Sequence, residues 1–293
     1  MEQMLNPVKR VAAIHDLSGF GRASLTVVTP ILSSMGIQVC PLPTAVLSTH
    51  SHYKNFHFVD LTDHLQPIID HWKQLDLSFH GIYSGFLGSH RQIAIVEQFI
   101  NDFRKPNTLV VVDPVLGDNG RIYTPLNQQV VVEMRRLISS ADIITPNITE
   151  LCLLLDIPYK NSFTIDEIKQ GILTLAGKGP RIVIVTSVPE PERPNYSSVI
   201  AYSSFDKRFW KVTCNYLPAS FPGTGDTFSS VITGSLLQGD SLPIALDRAV
   251  QFASMGVRAT FGYSYNPAEG ILLERILPAL NAPVSQTTYE LMD

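Results

Sequence analysis

The segment Gly223-Thr-Gly-Asp226 places a carboxylate beside two glycines at a helix start. Val231, Ile232, Leu236 and Leu237 continue the pattern at helical spacing. Glycine lets backbone N–H groups approach an anion without a Cβ in the way. The helix dipole favours negative charge at that end. A carboxylate next to such an anion hole could accept a proton as an alcohol attacks. The same residues also suit an ordinary loop with an Asp in the first helical turn, so the surroundings must decide.

Several other polar clusters directly follow apolar runs. His15-Asp16, with Gly19 and Gly21, follows residues 11–14, and the stretch 113–118 follows residues 109–112. Thr145-Pro-Asn147 follows Asp142-Ile-Ile144, and Thr186-Ser187 follows residues 182–185. Asp113 and Asp118 are candidates for placing Mg²⁺ near phosphates through water, because Mg²⁺ dehydrates reluctantly; the alternative is a strand-end turn. Asn147 and Glu150 either extend that network or cap a helix. The chain has no Gly-x-x-x-x-Gly-Lys-Ser/Thr and no Gly-x-Gly-x-x-Gly after its first apolar run, so neither a Walker loop nor a dinucleotide fingerprint is present. His50, His52 and His57 match no familiar zinc spacing.

The elements that must position these clusters are short β-branched runs alternating with helical patterns. Residues 11–14, 37–41, 81–83, 109–112 and 182–185 read as strands without polar alternation, which suits a parallel sheet covered on both faces. Residues 24–34 read as a helix. Ile93, Val96, Phe99, Ile100 and Phe103 make one helical stripe. Thr164-Ile-Asp-Glu167 is a capping box opening another helix. Residues 198–202 and 209–212 read as a late hairpin, 190–195 as a surface loop and 276–293 as a loosely held tail. Together these predict an α/β fold: a doubly wound, mostly parallel central sheet flanked by helices. Ligands of such sheets bind outside the carboxyl ends of the strands, and the four clusters that follow apolar runs fall there.

The 293 residues are 45% hydrophobic and 16% charged, with net charge −4 and no Lys/Arg-rich run. That composition suits one large core and speaks against a sequence-independent grip on nucleic acid. No apolar stretch approaches a membrane span, residues 1–10 lack a signal-peptide core, and a cytoplasmic location is the expectation. Three cysteines at long spacings predict neither a disulfide framework nor a zinc site.

Over residues 9–262 the chain resembles pyridoxal kinases of the ribokinase-like superfamily. The segments that carry the likeness occur in the family's order: Val11-Ala-Ala-Ile-His-Asp16 with Gly21, Pro43-Thr-Ala-Val-Leu-Ser48 with Tyr53, Ser84-Gly-Phe86, Val112-Asp-Pro-Val-Leu-Gly-Asp118, Ile144-Thr-Pro-Asn147 with Glu150, Val185-Thr-Ser187 and Gly223-Thr-Gly-Asp226. The resemblance implies a single ribokinase-like kinase domain over residues 1–293 that phosphorylates a B6 vitamer with ATP. It implies that Asp226 is the catalytic base and that Gly223, Thr224 and Gly225 form the anion hole. Asp113, Asp118 and Glu150 would organise Mg²⁺ and a monovalent cation such as K⁺. Asp118, Tyr123, Asn147, Thr186 and Thr224 would meet ATP, with Tyr123 on a flap. Asp16, Leu47, Ser51 and Phe86 would face the pyridoxal ring. A homodimer is implied as well. The family usually carries Ser at the Asp16 position and Tyr at the Phe86 position; a carboxylate at Asp16 would favour a vitamer with an amine, such as pyridoxamine. The alternatives are a hydroxymethylpyrimidine kinase of the same superfamily, which often has Cys in place of Asp226, and a non-catalytic B6-binding protein.

Overall fold

Val11 and Ala13 pack into one hydrophobic cluster, while Ala12 and Ile14 pack into another on the opposite side. All four are fully buried. Two-sided burial is the reason the run shows no polar alternation, and each Val or Ile buried this way contributes about 1.5–3 kcal/mol. The computed structural model describes residues 7–124, 126–160, 162–190, 192–282 and 287–292.

The first half of the chain gives β1 (Arg10–Ser18), α1 (Leu25–Ser34), β2 (Gln38–Leu47), β3 (Phe58–Asp60), α2 (Thr62–Gln74), β4 (Gly81–Ser84), α3 (His90–Phe103) and β5 (Leu109–Val112). A small hairpin, β6 (Gly117–Asp118) and β7 (Arg121–Ile122), comes next, then α4 (Gln128–Leu137), β8 (Ile143–Ile144), α5 (Ile148–Leu155) and α6 (Ile165–Ala176). The remainder gives β9 (Ile182–Pro189), β10 (Tyr196–Ser203), β11 (Arg208–Asn215), α7 (Thr224–Gln238), α8 (Leu242–Phe261), α9 (Leu273–Ile276) and β12 (Tyr289–Met292).

Ten strands form one sheet in the order β12-β11-β10-β9-β8-β5-β4-β1-β2-β3. The six from β9 to β2 run parallel, and the strands outside them pair antiparallel. The expected doubly wound, mostly parallel sheet is what the chain forms. One face carries α1, α7 and α8, and the other carries α3, α4, α5 and α6. The predicted stripe of α3 is buried at all five positions. The capping box of α6 also forms, with Thr164 accepting from the Glu167 amide and Glu167 accepting from the Thr164 amide.

The tail differs from expectation. Ile276 and Leu280 are buried, and β12 pairs with β11 from Tyr289↔Val212 to Met292↔Phe209. Apolar side chains and an open sheet edge hold the described part of this segment in place.

Candidate active site

Five parallel strands end at one rim. The Gly85 amide bonds to Ile14 O at 3.1 Å and the Asp113 amide to Ser84 O at 2.9 Å, so the ends of β1, β4 and β5 are stitched side by side. Beyond β8 and β9, the Thr186 amide bonds to Pro146 O at 2.9 Å, and Asn147 and Thr186 form a parallel bridge. His15-Asp16, Ser84-Gly85-Phe86, Asp113, Thr145–Asn147 and Thr186 are therefore neighbours because of the strand order.

The start of α7 leans over this rim. Gly223 has φ +77°, and a Cβ there would lie 2.3 Å from the carbonyl oxygen of Arg22. Only glycine takes both that conformation and that contact without strain. The turn is closed by Thr224 Oγ1 donating to Phe221 O at 2.8 Å and by the Thr227 amide donating to Gly223 O at 2.8 Å. Gly225 is exposed, and a Cβ there would meet no heavy atom within 4 Å. The first helical amides lack intrahelical partners, and the space beside Gly225 is open.

Asp226 lies in the first turn and accepts the Ser24 amide on Oδ2 at 2.9 Å. One turn further, Ser229 Oγ bonds to Asp113 Oδ2 at 3.1 Å and to Thr145 Oγ1 at 3.0 Å. These contacts lock α7 to the ends of β5 and β8. Asp226 thus lies on the same side of the sheet end as Asp113, and its negative charge raises the Asp113 carboxyl.

The charge pattern of the cleft is acidic. Burial pushes the Asp226 carboxyl up to about 6; the Ser24 amide opposes this and the negative charge of Asp16 reinforces it. The Asp113 carboxyl is held well above the usual range, by burial first and then by Glu150 and Asp226, against hydrogen bonds from Ser229 and Thr145. Burial raises Glu150 to about 7, opposed by the amides of Asn147, Leu116 and Gly117. The phenol of Tyr123 is pushed up by burial and then by Glu150, Asp118, Asp113 and Asp226 in turn. One side chain thus senses the charge of all four acids.

Asn147 and Glu150 serve two purposes. They form a capping box on α5, with the Glu150 amide donating to Asn147 Oδ1 and the Asn147 amide to Glu150 Oε2, each at 2.9 Å. They also hold the strap leading to the β6–β7 hairpin: the Leu116 amide donates to Glu150 Oε1 at 2.9 Å, and Asn147 Nδ2 donates to Gly117 O at 2.8 Å. The hairpin turns at Asn119 (φ 51°) and Gly120 (φ 74°), the Asn-Gly pair that two-residue hairpins favour. Asp118 is exposed at its edge and accepts from the Asn119 amide and side chain. The Gly120 amide donates to Thr149 Oγ1 at 2.9 Å, fastening the tip to α5.

On the opposite flank, Asp16 is buried and accepts from the hydroxyls of Ser24 and Ser18. Leu47 is buried, and its carbonyl accepts the Gly19 amide at 2.8 Å. Phe86 is half-buried, and its carbonyl accepts from Thr44 Oγ1. Ser51 is exposed in a turn next to His50, whose ring covers Gly21 and reaches Ala268 O at 2.6 Å. Ser24 and Ser229 were not singled out as site residues from sequence, and Thr145 was read only as part of the cluster Thr145-Pro-Asn147. Ser229 lies three residues beyond Asp226 on a helix, which puts it on the same face and could have flagged it. Ser24 has no such signal.

Among the described residues no group of three His, Cys, Asp or Glu side chains could hold a metal ion by itself. The donor set still fits a divalent cation that brings other ligands. Asp113 and Glu150 are acids raised by burial first and then by neighbouring charge, Asp113 by Glu150 and Glu150 by Asp118, and a cation bound through water and phosphate oxygens would relieve that repulsion.

Comparison with known proteins agrees with this geometry. The family model for phosphomethylpyrimidine kinase matches residues 32–269. The chain belongs to that family. A Bacteroides thetaiotaomicron protein named a candidate phosphomethylpyrimidine kinase, crystallised with pyridoxal, is 61% identical over 97% of this chain and 100% of its own, with a TM-score of 0.95. Pyridoxal kinase from Lactobacillus plantarum is 31% identical over 94% of this chain and 97% of its own, with a TM-score of 0.84. The pyridoxine/pyridoxal/pyridoxamine kinase of Bordetella pertussis is 28% identical over 251 residues, 82% of this chain and 85% of that protein. The resemblance to pyridoxal kinases drawn from the motifs is borne out. Among the described residues no helix is long and apolar enough to cross a membrane.

Proposed function

We propose that this protein transfers the γ-phosphoryl of ATP to the 5′-hydroxymethyl group of a B6 vitamer (pyridoxal, pyridoxamine or pyridoxine), giving the 5′-phosphate and ADP. The observation that carries this reading is the Asp226 carboxyl at the open start of α7, on the same side of the sheet end as Asp113. The 61% identical relative crystallised with pyridoxal supports the vitamer as substrate.

In this reading Asp226 hydrogen-bonds the 5′-hydroxyl and takes its proton as the oxygen attacks phosphorus. An acid raised to about 6 is a base near neutral pH while still close enough in affinity to exchange the proton. The amides of Gly223, Thr224 and Gly225 meet the transferring phosphoryl group. Asp118, Tyr123, Asn147, Thr186 and Thr224 line the nucleotide side, and Asp16, Leu47, Ser51 and Phe86 the vitamer side. Bound Mg²⁺ supplies positive charge against the phosphates, and Asp113, Asp118 and Glu150 are the residues to hold it, with K⁺ as a second cation. Positioning and electrostatics supply most of the rate. A single domain spanning residues 1–293, working as a cytoplasmic homodimer, completes the proposal.

The test is ADP release measured with each vitamer and with hydroxymethylpyrimidine, for the native protein and for Asp226→Asn. Turnover with a B6 vitamer and a loss of roughly 10²–10⁴-fold in the variant are expected. Near-normal turnover in Asp226→Asn overturns the assignment of the base, and turnover with hydroxymethylpyrimidine alone overturns the substrate.

A further inference from the structure

Ser24 stands just before α1 with φ 53° and ψ −130°. That backbone region belongs to glycine, and another residue there is strained and stays only where its surroundings impose it. Here the surroundings do impose it. The Ser24 carbonyl accepts from the amides of Val27 and Val28, both at 2.9 Å. Its amide is turned the other way, onto Asp226 Oδ2 at 2.9 Å. Its hydroxyl donates to Asp16 Oδ1. Glycine would adopt this conformation freely, so what serine adds is the hydroxyl bond to Asp16. Ser24 and Asp16 are both buried, so water competes little for these bonds.

We propose that Ser24 is a positioning residue for the phosphoryl transfer: tethered by Asp16, it aims its amide at one oxygen of Asp226 and so fixes the other toward the attacking hydroxyl. The inference rests on Asp226 being the base. As the alcohol oxygen bonds to the γ-phosphorus, its proton passes to the free Asp226 oxygen. The bond from phosphorus to the bridging oxygen breaks, and its electron pair leaves on ADP. Ser24 touches none of the reacting atoms and acts through the carboxylate it orients. Asp16 is then chiefly the anchor of this arrangement. Its two oxygens already accept from Ser24 and Ser18, which explains a carboxylate at a position facing the vitamer side.

The experiment is a cycle of Ser24→Gly, Asp226→Asn and the double variant, with kcat, both KM values and thermal midpoint measured for each. Glycine keeps the amide, removes the tether and relieves the strain, so Ser24→Gly is expected to fold with a midpoint no lower than the native protein's. Its kcat falls roughly 10–100-fold, as for a misplaced catalytic group, while KM for ATP stays within about twofold. In the Asp226→Asn background the same change costs nothing further, because residues acting as one unit are not additive. A Ser24→Gly kcat near native, with Asp226→Asn crippled, overturns the role of Ser24 and leaves the base standing. An equal loss in both backgrounds shows that Ser24 acts elsewhere and also overturns it. Near-normal turnover in Asp226→Asn overturns the base, and this inference with it.

Discussion

Replacing Asp226 by Asn should make the nucleotide-free protein more stable while disabling it. The carboxyl titrates near 6 in the folded chain against 3.8 for the ordinary group. The folded state therefore binds the proton more tightly than the unfolded state, so this residue lowers stability as pH rises. The penalty is absent below about pH 3.8, grows between 3.8 and 6, and is complete above 6. At about 1.4 kcal/mol per unit it amounts to about 3 kcal/mol at neutral pH. Asp226 keeps part of its surface in solvent, which screens the charge, so this is the upper end. The amide of the Asp226→Asn variant would have no charge to desolvate, and its oxygen could still accept the Ser24 amide. With an unfolding entropy of roughly 2 cal/mol/K per residue, a chain this long gains at most about 5 °C in midpoint. Thermal or urea unfolding of both proteins without nucleotide, at pH 4 and pH 7.5, is the assay. The gain should appear at pH 7.5 and shrink toward zero at pH 4. A variant no more stable at pH 7.5, or equally stabilised at both pH values, would show that Asp226 is not a desolvated carboxylate.

The acidic limb of kcat/KM should lie near pH 6, with activity falling as the carboxylate cluster takes up protons; Asp16→Asn removes a neighbouring negative charge and should move that limb to lower pH. Gly223→Ala places a Cβ 2.3 Å from Arg22 O at φ +77°, so both the thermal midpoint and turnover should fall. Gly225→Ala adds a methyl in open space, so folding should be unchanged while KM for ATP rises. Gly120→Ala drives a methyl to 2.7 Å from the Tyr159 ring at φ +74° and should displace the β6–β7 hairpin, raising KM for ATP with a small change in global unfolding. Steady-state kinetics beside a melting curve checks each of these.

How much of this was legible in the sequence depended on how local each signal was. The central strands were plain because burial on both faces writes a continuous apolar run, as in Val110-Val111-Val112, all fully buried. The α6 capping box was plain because its two partners are three residues apart. The described end of the chain was misjudged because β12 is an edge strand of four residues, with Glu290 and Leu291 exposed. Its order comes from pairing with β11, more than seventy residues earlier in the chain, and no local pattern records that. The β6–β7 hairpin carried its Asn119-Gly120 signature in the open, but two-residue strands are too short for periodicity to show.

The site divides along the same line. Asp226, Asp113 and Glu150 were readable because each is an acid placed by its own element's end, and for Asn147 and Glu150 the capping reading is what the structure shows, the same pair also bonding the strap that leads to the β6–β7 hairpin. The bond from Ser24 to Asp226 was not readable, since it spans 202 residues and uses a backbone amide that every residue except proline carries. Residue type says nothing about such a contact. Only the hydroxyl is specific to serine, and it acquires meaning once the fold sets Asp16 beside it. Sequence thus exposes the groups that do chemistry through their side chains, whereas the groups that aim them are chosen by backbone direction, and those appear only when the strand order is known.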